Sequence, residues 1–179
     1  MITLKLIFLY KCVISSIQIF FILLRKQISG YPKFIDNFEK NFIKYINAKY
    51  GVIYANGTTA LEAILFSLNL KENDEIIVPS QTFFSTITPI LHTKAKIKFV
   101  DIDYDNLNIS ITNLKREINK KTKAVIIVHL YGMPVDMKEI IKLKNKYKFY
   151  LIEDCSHAHG ARYMNKSVGT FGDSSFFSF

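Results

Sequence analysis

A doubly wound α/β layer is the fold class that this sequence predicts, and two observations predict it. Short apolar runs rich in Ile, Val and aromatics recur along the chain, separated by segments whose length and apolar spacing fit crossover helices. Polar, turn-forming clusters fall where several of those runs end, which is where open α/β sheets place their chemistry.

The first 28 residues differ from the rest. From Leu6 to Leu24 the strongly polar interruptions are Lys11 and Gln18, and Arg25 and Lys26 close the segment. Its length is near the minimum for a bilayer span. Lys11 sits well inside it, at a cost of roughly 2.5 to 3.5 kcal/mol on insertion scales. No small-residue cleavage site follows, so a removed signal peptide is not expected. Three readings stay open for this apolar helix: a monotopic or spanning anchor with Arg25 and Lys26 on the cytoplasmic side, a helix packed on a partner subunit, or a mis-assigned start. The expected location is the cytoplasm, with membrane contact through residues 1–28 as an open reading.

Residues 29–179 read as one domain or part of one. Residues 34–48 carry Phe34, Phe38, Phe42, Tyr45 and Ile46 at helical spacing, an aromatic stripe expected to be core. Strands are expected at 52–55, 75–78, 97–100, 123–129 and 148–152. Helices are expected at 59–69, 83–92, 111–119 and 137–147. Asp136 and Glu139 have the spacing of a capping box. A mostly parallel sheet with crossover helices follows.

Composition excludes several classes. The chain is 49% hydrophobic, which argues against disorder. The net charge is +9, yet Arg25, Arg116 and Arg162 are the sole arginines and the lysines are interleaved with Asp, Glu and Asn. A nucleic-acid surface would favour arginine for bidentate phosphate contacts, so no nucleic-acid partner is expected. Cys12 and Cys155 form no metal-binding spacing, and no metal is expected. Walker A and GxGxxG patterns are absent, which removes the anchor for nucleotide hydrolases and dinucleotide dehydrogenases.

Four motifs carry chemistry. Asn56 to Glu62, NGTTALE, follows an apolar run and opens a helix, so free N–H groups and the positive end of the helix dipole form a phosphate cradle. Thr59 with Glu62 is equally an ordinary capping box, which needs no ligand. In Pro79 to Thr86, Phe83 or Phe84 can stack on a planar heterocycle or belong to the core. Glu153 and Asp154 end an apolar run, with His157 three residues on. A carboxylate there can stabilise a protonated ring nitrogen, as a pyridoxal phosphate ring requires; the alternative is a salt-bridged strand end. His129 reads as a strand-end structural residue. The fourth motif is the glycine-rich turn Val168 to Asp173, leading into Ser174 to Phe179.

Taken together, NGTTALEA, DEIIVPSQTFFST, KFVDID, TKAVIIVHLYGMPVDM, LIEDCSHAHGARY and VGTFGDSSFFSF resemble consecutive blocks of the DegT/DnrJ/EryC1/StrS family of pyridoxal-phosphate-dependent sugar aminotransferases, from about Phe34 to Phe179. The resemblance implies a fold type I large domain and amino transfer from glutamate or glutamine to a nucleotide-linked keto sugar, for amino-sugar or surface polysaccharide synthesis. It also implies a homodimer. It assigns Gly57, Thr58, Thr59 and Ser178 to the cofactor phosphate and Phe83 to stacking on the ring. Asp154 would pair with the ring nitrogen and His157 would lie near its phenolic oxygen.

Family members continue past the block matching Ser178 to a lysine that forms the internal Schiff base, whereas Phe179 is the last residue here. The domain is therefore expected to be incomplete and this chain alone inactive. Two alternatives accompany that expectation: part of a sugar dehydratase, in which histidine replaces the lysine, or a non-catalytic remnant that associates with a membrane or a partner chain.

Overall fold

The computed structural model describes residues 32–179. The chain divides into two units, Met1–Asn41 and Phe42–Phe179. The described part of the first is the opening of helix α1, Pro32–Ile46. The segment 1–28 and its expected helix lie outside the described residues. Among the described residues no helix is long and apolar enough to cross a membrane.

The second unit continues with α2 (Gly57–Ser67), β1 (Glu75–Pro79), α3 (Phe84–Leu91), β2 (Lys96–Val100), α4 (Ile111–Glu117), β3 (Thr122–Val128), α5 (Met137–Tyr147), β4 (Tyr150–Asp154), β5 (Arg162–Tyr163), β6 (Lys166–Ser167) and β7 (Ser174–Phe176). Five strands form one sheet in the order β2-β1-β3-β4-β7, and each neighbouring pair is parallel. Strands β5 and β6 make a short antiparallel hairpin. The sheet order reverses direction at β1, so the crevice outside the carboxyl ends of β1 and β3 is a topological switch point.

Strand periodicity explains the core. Ile77, Val125, Ile127 and Leu151 face a cluster with Leu114 of α4 and Met137, Ile140 and Leu143 of α5. The alternate residues Ile76, Val78, Ala124, Ile126 and Ile152 face Leu61 and Leu65 of α2 and Ile90 of α3. Both faces of the sheet are thus covered, as a parallel sheet requires. Each fully buried Ile or Leu contributes roughly 1.5 to 3 kcal/mol. Ile126→Ala would leave a cavity between sheet and helices and cost about 2 to 5 kcal/mol.

The α/β layer, the parallel sheet and all five helices agree with expectation, with element ends shifted by a few residues. Three local expectations fail. Residues 52–55 form no strand, and Val52 is 71% exposed. A β-branched apolar run can become a strand only against a free sheet edge, and the edges here are β2 and β7. The aromatic stripe of α1 is only partly core: Ile46 is buried and Phe42 packs edge-on against Phe177 and Phe179, while Phe34, Phe38 and Tyr45 stay exposed. Helical spacing marks an apolar face without fixing how far it is covered. The first capping box lies three residues earlier than expected, between Asn56 and Thr59, because α2 already begins at Gly57.

Candidate functional site

The start of α2 builds the first part of the site. Asn56 is extended, and its Oδ1 accepts the Thr59 N–H at 3.0 Å. The Asn56 N–H donates to Thr59 Oγ1 at 3.3 Å, and the Thr59 hydroxyl donates to the Asn56 carbonyl at 2.9 Å. Thr59 therefore spends its side chain on the cap. The N–H groups of Gly57 and Thr58 stand in the first turn, where no helical carbonyl lies one turn back to accept them.

Gly57 packs against a residue far away in sequence. A Cβ on Gly57 would lie 3.0 Å from the Ser178 Cβ and 3.3 Å from its Oγ. A side chain there would require Ser178 to give by a few tenths of an ångström. Phe176 connects the two: its ring carbon would be 3.6 Å from the same Cβ, and its backbone pairs with Asp154 across the β4–β7 ladder. Gly57, Ser178 and Asp154 are thus brought to one end of the sheet, where β4 and β7 finish.

Asp154 ends β4 and is 4% exposed. Its Oδ2 accepts the Thr86 hydroxyl at 2.9 Å and its Oδ1 accepts the Ser156 N–H at 3.0 Å. Thr86 is buried and itself accepts the Thr82 hydroxyl at 2.9 Å. A carboxylate acceptor at the end of this chain fixes the direction of both hydroxyl hydrogens. Phe83 precedes α3 as its N-cap and Phe84 follows, exposed by 71% and 69%. The core reading of these two rings is thereby overturned, since neither is enclosed by the helix and sheet around it. His157 is exposed, and its ring lies parallel to that of Tyr131 at a centroid distance of 5.7 Å.

The adjacent carboxylates of β4 are separated by strand alternation. Glu153 points to the opposite face from Asp154 and is fully buried. Its Oε2 accepts from His129 Nε2 at 3.0 Å and the Gly169 N–H at 2.8 Å; its Oε1 accepts the N–H groups of Phe171 at 2.7 Å and Gly172 at 2.6 Å. Val135 N–H donates to His129 Nδ1 at 3.1 Å, which assigns the ring proton to Nε2. Burial pushes the Glu153 carboxyl up, but the His129 hydrogen bond and the turn N–H groups outweigh it and hold the group below its ordinary range. Glu153 therefore pins the glycine-rich turn that leads into β7, and His129 has the structural role expected of it.

His129, Glu153 and Cys155 place ligand-type atoms within 4.8 Å of one another. They do not fit a metal. The His129 and Glu153 atoms are taken by the hydrogen bonds above, and burial, with the Glu153 and Asp154 charges, pushes the Cys155 thiol well up and away from thiolate.

Sequence reasoning missed Thr86 and Tyr131. The i, i+4 spacing of Thr82 and Thr86 in the PSQTFFST block was a signal for the first; nothing in sequence pattern marks a ring stack between residues 131 and 157.

A parallel α/β layer with a helix-terminus cradle and a buried carboxylate at adjacent strand ends defines a cofactor-binding fold of the doubly wound class. The chain belongs to the DegT/DnrJ/EryC1/StrS aminotransferase family, whose model matches residues 21–179. It is 41% identical over 152 residues to GDP-perosamine synthase of Escherichia coli O157:H7, covering 85% of this chain and 42% of that protein. The solved aminotransferase from Psychrobacter cryohalolentis superposes with a TM-score of 0.88 at 35% identity, covering 93% of this chain and 42% of that one. A solved GDP-4-keto-6-deoxymannose-3-dehydratase with a trapped PLP-glutamate geminal diamine gives a TM-score of 0.74 at 37% identity, covering 77% of this chain and 37% of that one. The chain spans less than half the length of each.

Proposed function

We propose that residues 29–179 form the cofactor-holding part of a pyridoxal-phosphate-dependent aminotransferase large domain acting on a nucleotide-linked keto sugar, with glutamate or glutamine as amino donor. The observation that carries this reading is the Gly57–Ser178 cradle beside the strand that ends in Asp154. The residues fit the group: first-turn N–H donors at Gly57 and Thr58, the Ser178 hydroxyl packed beside Gly57, and a buried carboxylate with both oxygens oriented. The cofactor, when bound, supplies the electron sink for proton loss at the amino-bearing carbon.

Each residue then has a separable task. Gly57 and Thr58 would donate N–H groups to the phosphate and Ser178 would add its hydroxyl, while Thr59 holds the helix cap in shape. Asp154 would pair with the ring nitrogen and hold a proton there, since a buried anion favours the charged form of its neighbour. Thr86 and the Ser156 N–H fix the rotamer of that carboxylate. Phe83 would offer its exposed aromatic face to the ring, and His157 would serve the ring's oxygen substituent. Homodimerisation belongs to the same proposal and is supported by the apolar side chains Phe83, Phe84, Tyr131 and Met133 left exposed around the site.

A titration of the purified chain with pyridoxal phosphate tests the reading, with excess ligand removed and the retained cofactor measured by absorbance. Retention by the parent chain and its loss in Asp154→Ala support it; equal retention by both refutes it. Dehydration of a keto sugar nucleotide is the second reading, favoured by the likeness to the dehydratase. Product analysis separates the two, because amino transfer adds nitrogen to the sugar and dehydration removes oxygen from it.

A further inference from the structure

We infer that Tyr131 is a positioning residue that presets the His157 ring toward the cofactor cleft. The turn after β3, Leu130–Gly132, contains Tyr131 at φ 51 and ψ 26. That is the left-handed region, where a Cβ is crowded by its own backbone and glycine or asparagine is the usual occupant. Tyr131 is also 72% exposed, so core burial does not account for a bulky ring at this position.

What the unfavourable backbone achieves is ring placement. The Tyr131 and His157 rings lie 12° from parallel at 5.7 Å. Gly132, at φ 81, brings the same turn against the backbone of His157: a Cβ there would sit 3.4 Å from the His157 carbonyl oxygen. The root of the turn is fixed as well, through the buried His129 ring and the Leu130 N–H, which donates to Asn108 Oδ1 at 3.4 Å. One anchored turn therefore meets both ring and backbone of an otherwise exposed histidine. A stack of this kind orients the imidazole without occupying either ring nitrogen, so both stay available to a ligand. It also removes, before binding, rotamer freedom that the ligand would otherwise have to quench. The cofactor half of this inference rests on the proposed function; the stack does not.

The test compares the full chain with Tyr131→Gly and Tyr131→Phe. Glycine suits the left-handed backbone, so loss of the ring is not confounded by loss of the fold. In histidine-ring NMR spectra, the Tyr131→Gly variant should lose the ring-current displacement of the His157 signals and Tyr131→Phe should keep it. Pyridoxal phosphate should bind Tyr131→Gly about threefold to tenfold more weakly, with Tyr131→Phe restoring affinity. Unchanged His157 signals in Tyr131→Gly overturn the stack, and equal affinities overturn the positioning role. If the parent chain neither binds pyridoxal phosphate nor shifts its His157 signals when it is added, the proposed function falls and takes the cofactor half of the inference with it, whereas the stack stands on the spectra alone.

Discussion

The Thr86 hydroxyl donates to Asp154 Oδ2 at 2.9 Å across 68 residues of sequence, and Thr86 receives its own hydrogen bond from Thr82 at 2.9 Å. The relay joins the opening turn of α3 to the end of β4. It leaves the carboxylate with one rotamer, since Oδ1 is held separately by the Ser156 N–H. Thr86→Val keeps shape and removes the donor, leaving a buried carboxylate oxygen short of a partner, which costs about 1 to 3 kcal/mol. Urea unfolding should register that loss, and cofactor retention should fall with it. Thr86→Ser should recover most of both, because it returns the hydroxyl.

Glu153→Gln is expected to be more damaging than any change at Asp154. The amide can accept with one oxygen only, whereas Glu153 satisfies His129 and three turn N–H groups with two. At least one buried donor is left unpaired, and the turn 169–172 loses its anchor. A loss of about 3 kcal/mol or more is expected in denaturant unfolding. Asp154→Asn should cost less stability than this, because it can keep the Ser156 N–H bond.

The same carboxylate sets a pH dependence. Its folded value lies below its ordinary 4.5, with burial opposed and outweighed by the His129 and turn hydrogen bonds. A depressed value means that the folded state binds the proton less readily than the unfolded chain. The stabilisation is therefore present above pH 4.5 and is lost as pH falls from there through the folded value. Denaturant midpoints measured over that range should fall for the parent chain. Glu153→Gln should start lower and lack this part of the slope.

The layered fold was legible because its signals are periodic. Alternation in β1 and β3 and the apolar spacing of α5 each declare a face, and a parallel sheet is the arrangement that covers all of them. Gly57, Asp154 and Ser178 stand out in the sequence for another reason: each is a glycine or polar residue beside an apolar run. What sequence did not yield is direction across the sheet. Glu153 and Asp154 look equivalent in a string, yet one-residue alternation sends the first under the glycine-rich turn and the second to the Thr86 hydroxyl and the Ser156 N–H. Thr59 carried two readings, because a hydroxyl beside a helix start suits a ligand and a cap equally; its hydroxyl takes part in the cap, with hydrogen bonds to Asn56 in both directions.

Gly57→Ala discriminates between a structural glycine and a ligand floor. The residue sits in the first turn of α2, where alanine is a better helix former than glycine by roughly 1 kcal/mol. If packing alone mattered, the added methyl group would be judged by its neighbours: Ser178 Cβ at 3.0 Å and Oγ at 3.3 Å require a shift of a few tenths of an ångström, a cost that the better helix propensity of alanine offsets. Thermal unfolding of Gly57→Ala should therefore stay near that of the parent. The cradle has less tolerance, because a methyl group there occupies the approach to the Gly57 N–H and pushes the Ser178 hydroxyl aside. Loss of one charge-assisted hydrogen bond corresponds to about tenfold in affinity. Pyridoxal phosphate retention should thus fall at least that far while stability holds; a variant that unfolds early yet retains cofactor in its folded fraction would return Gly57 to a purely structural role.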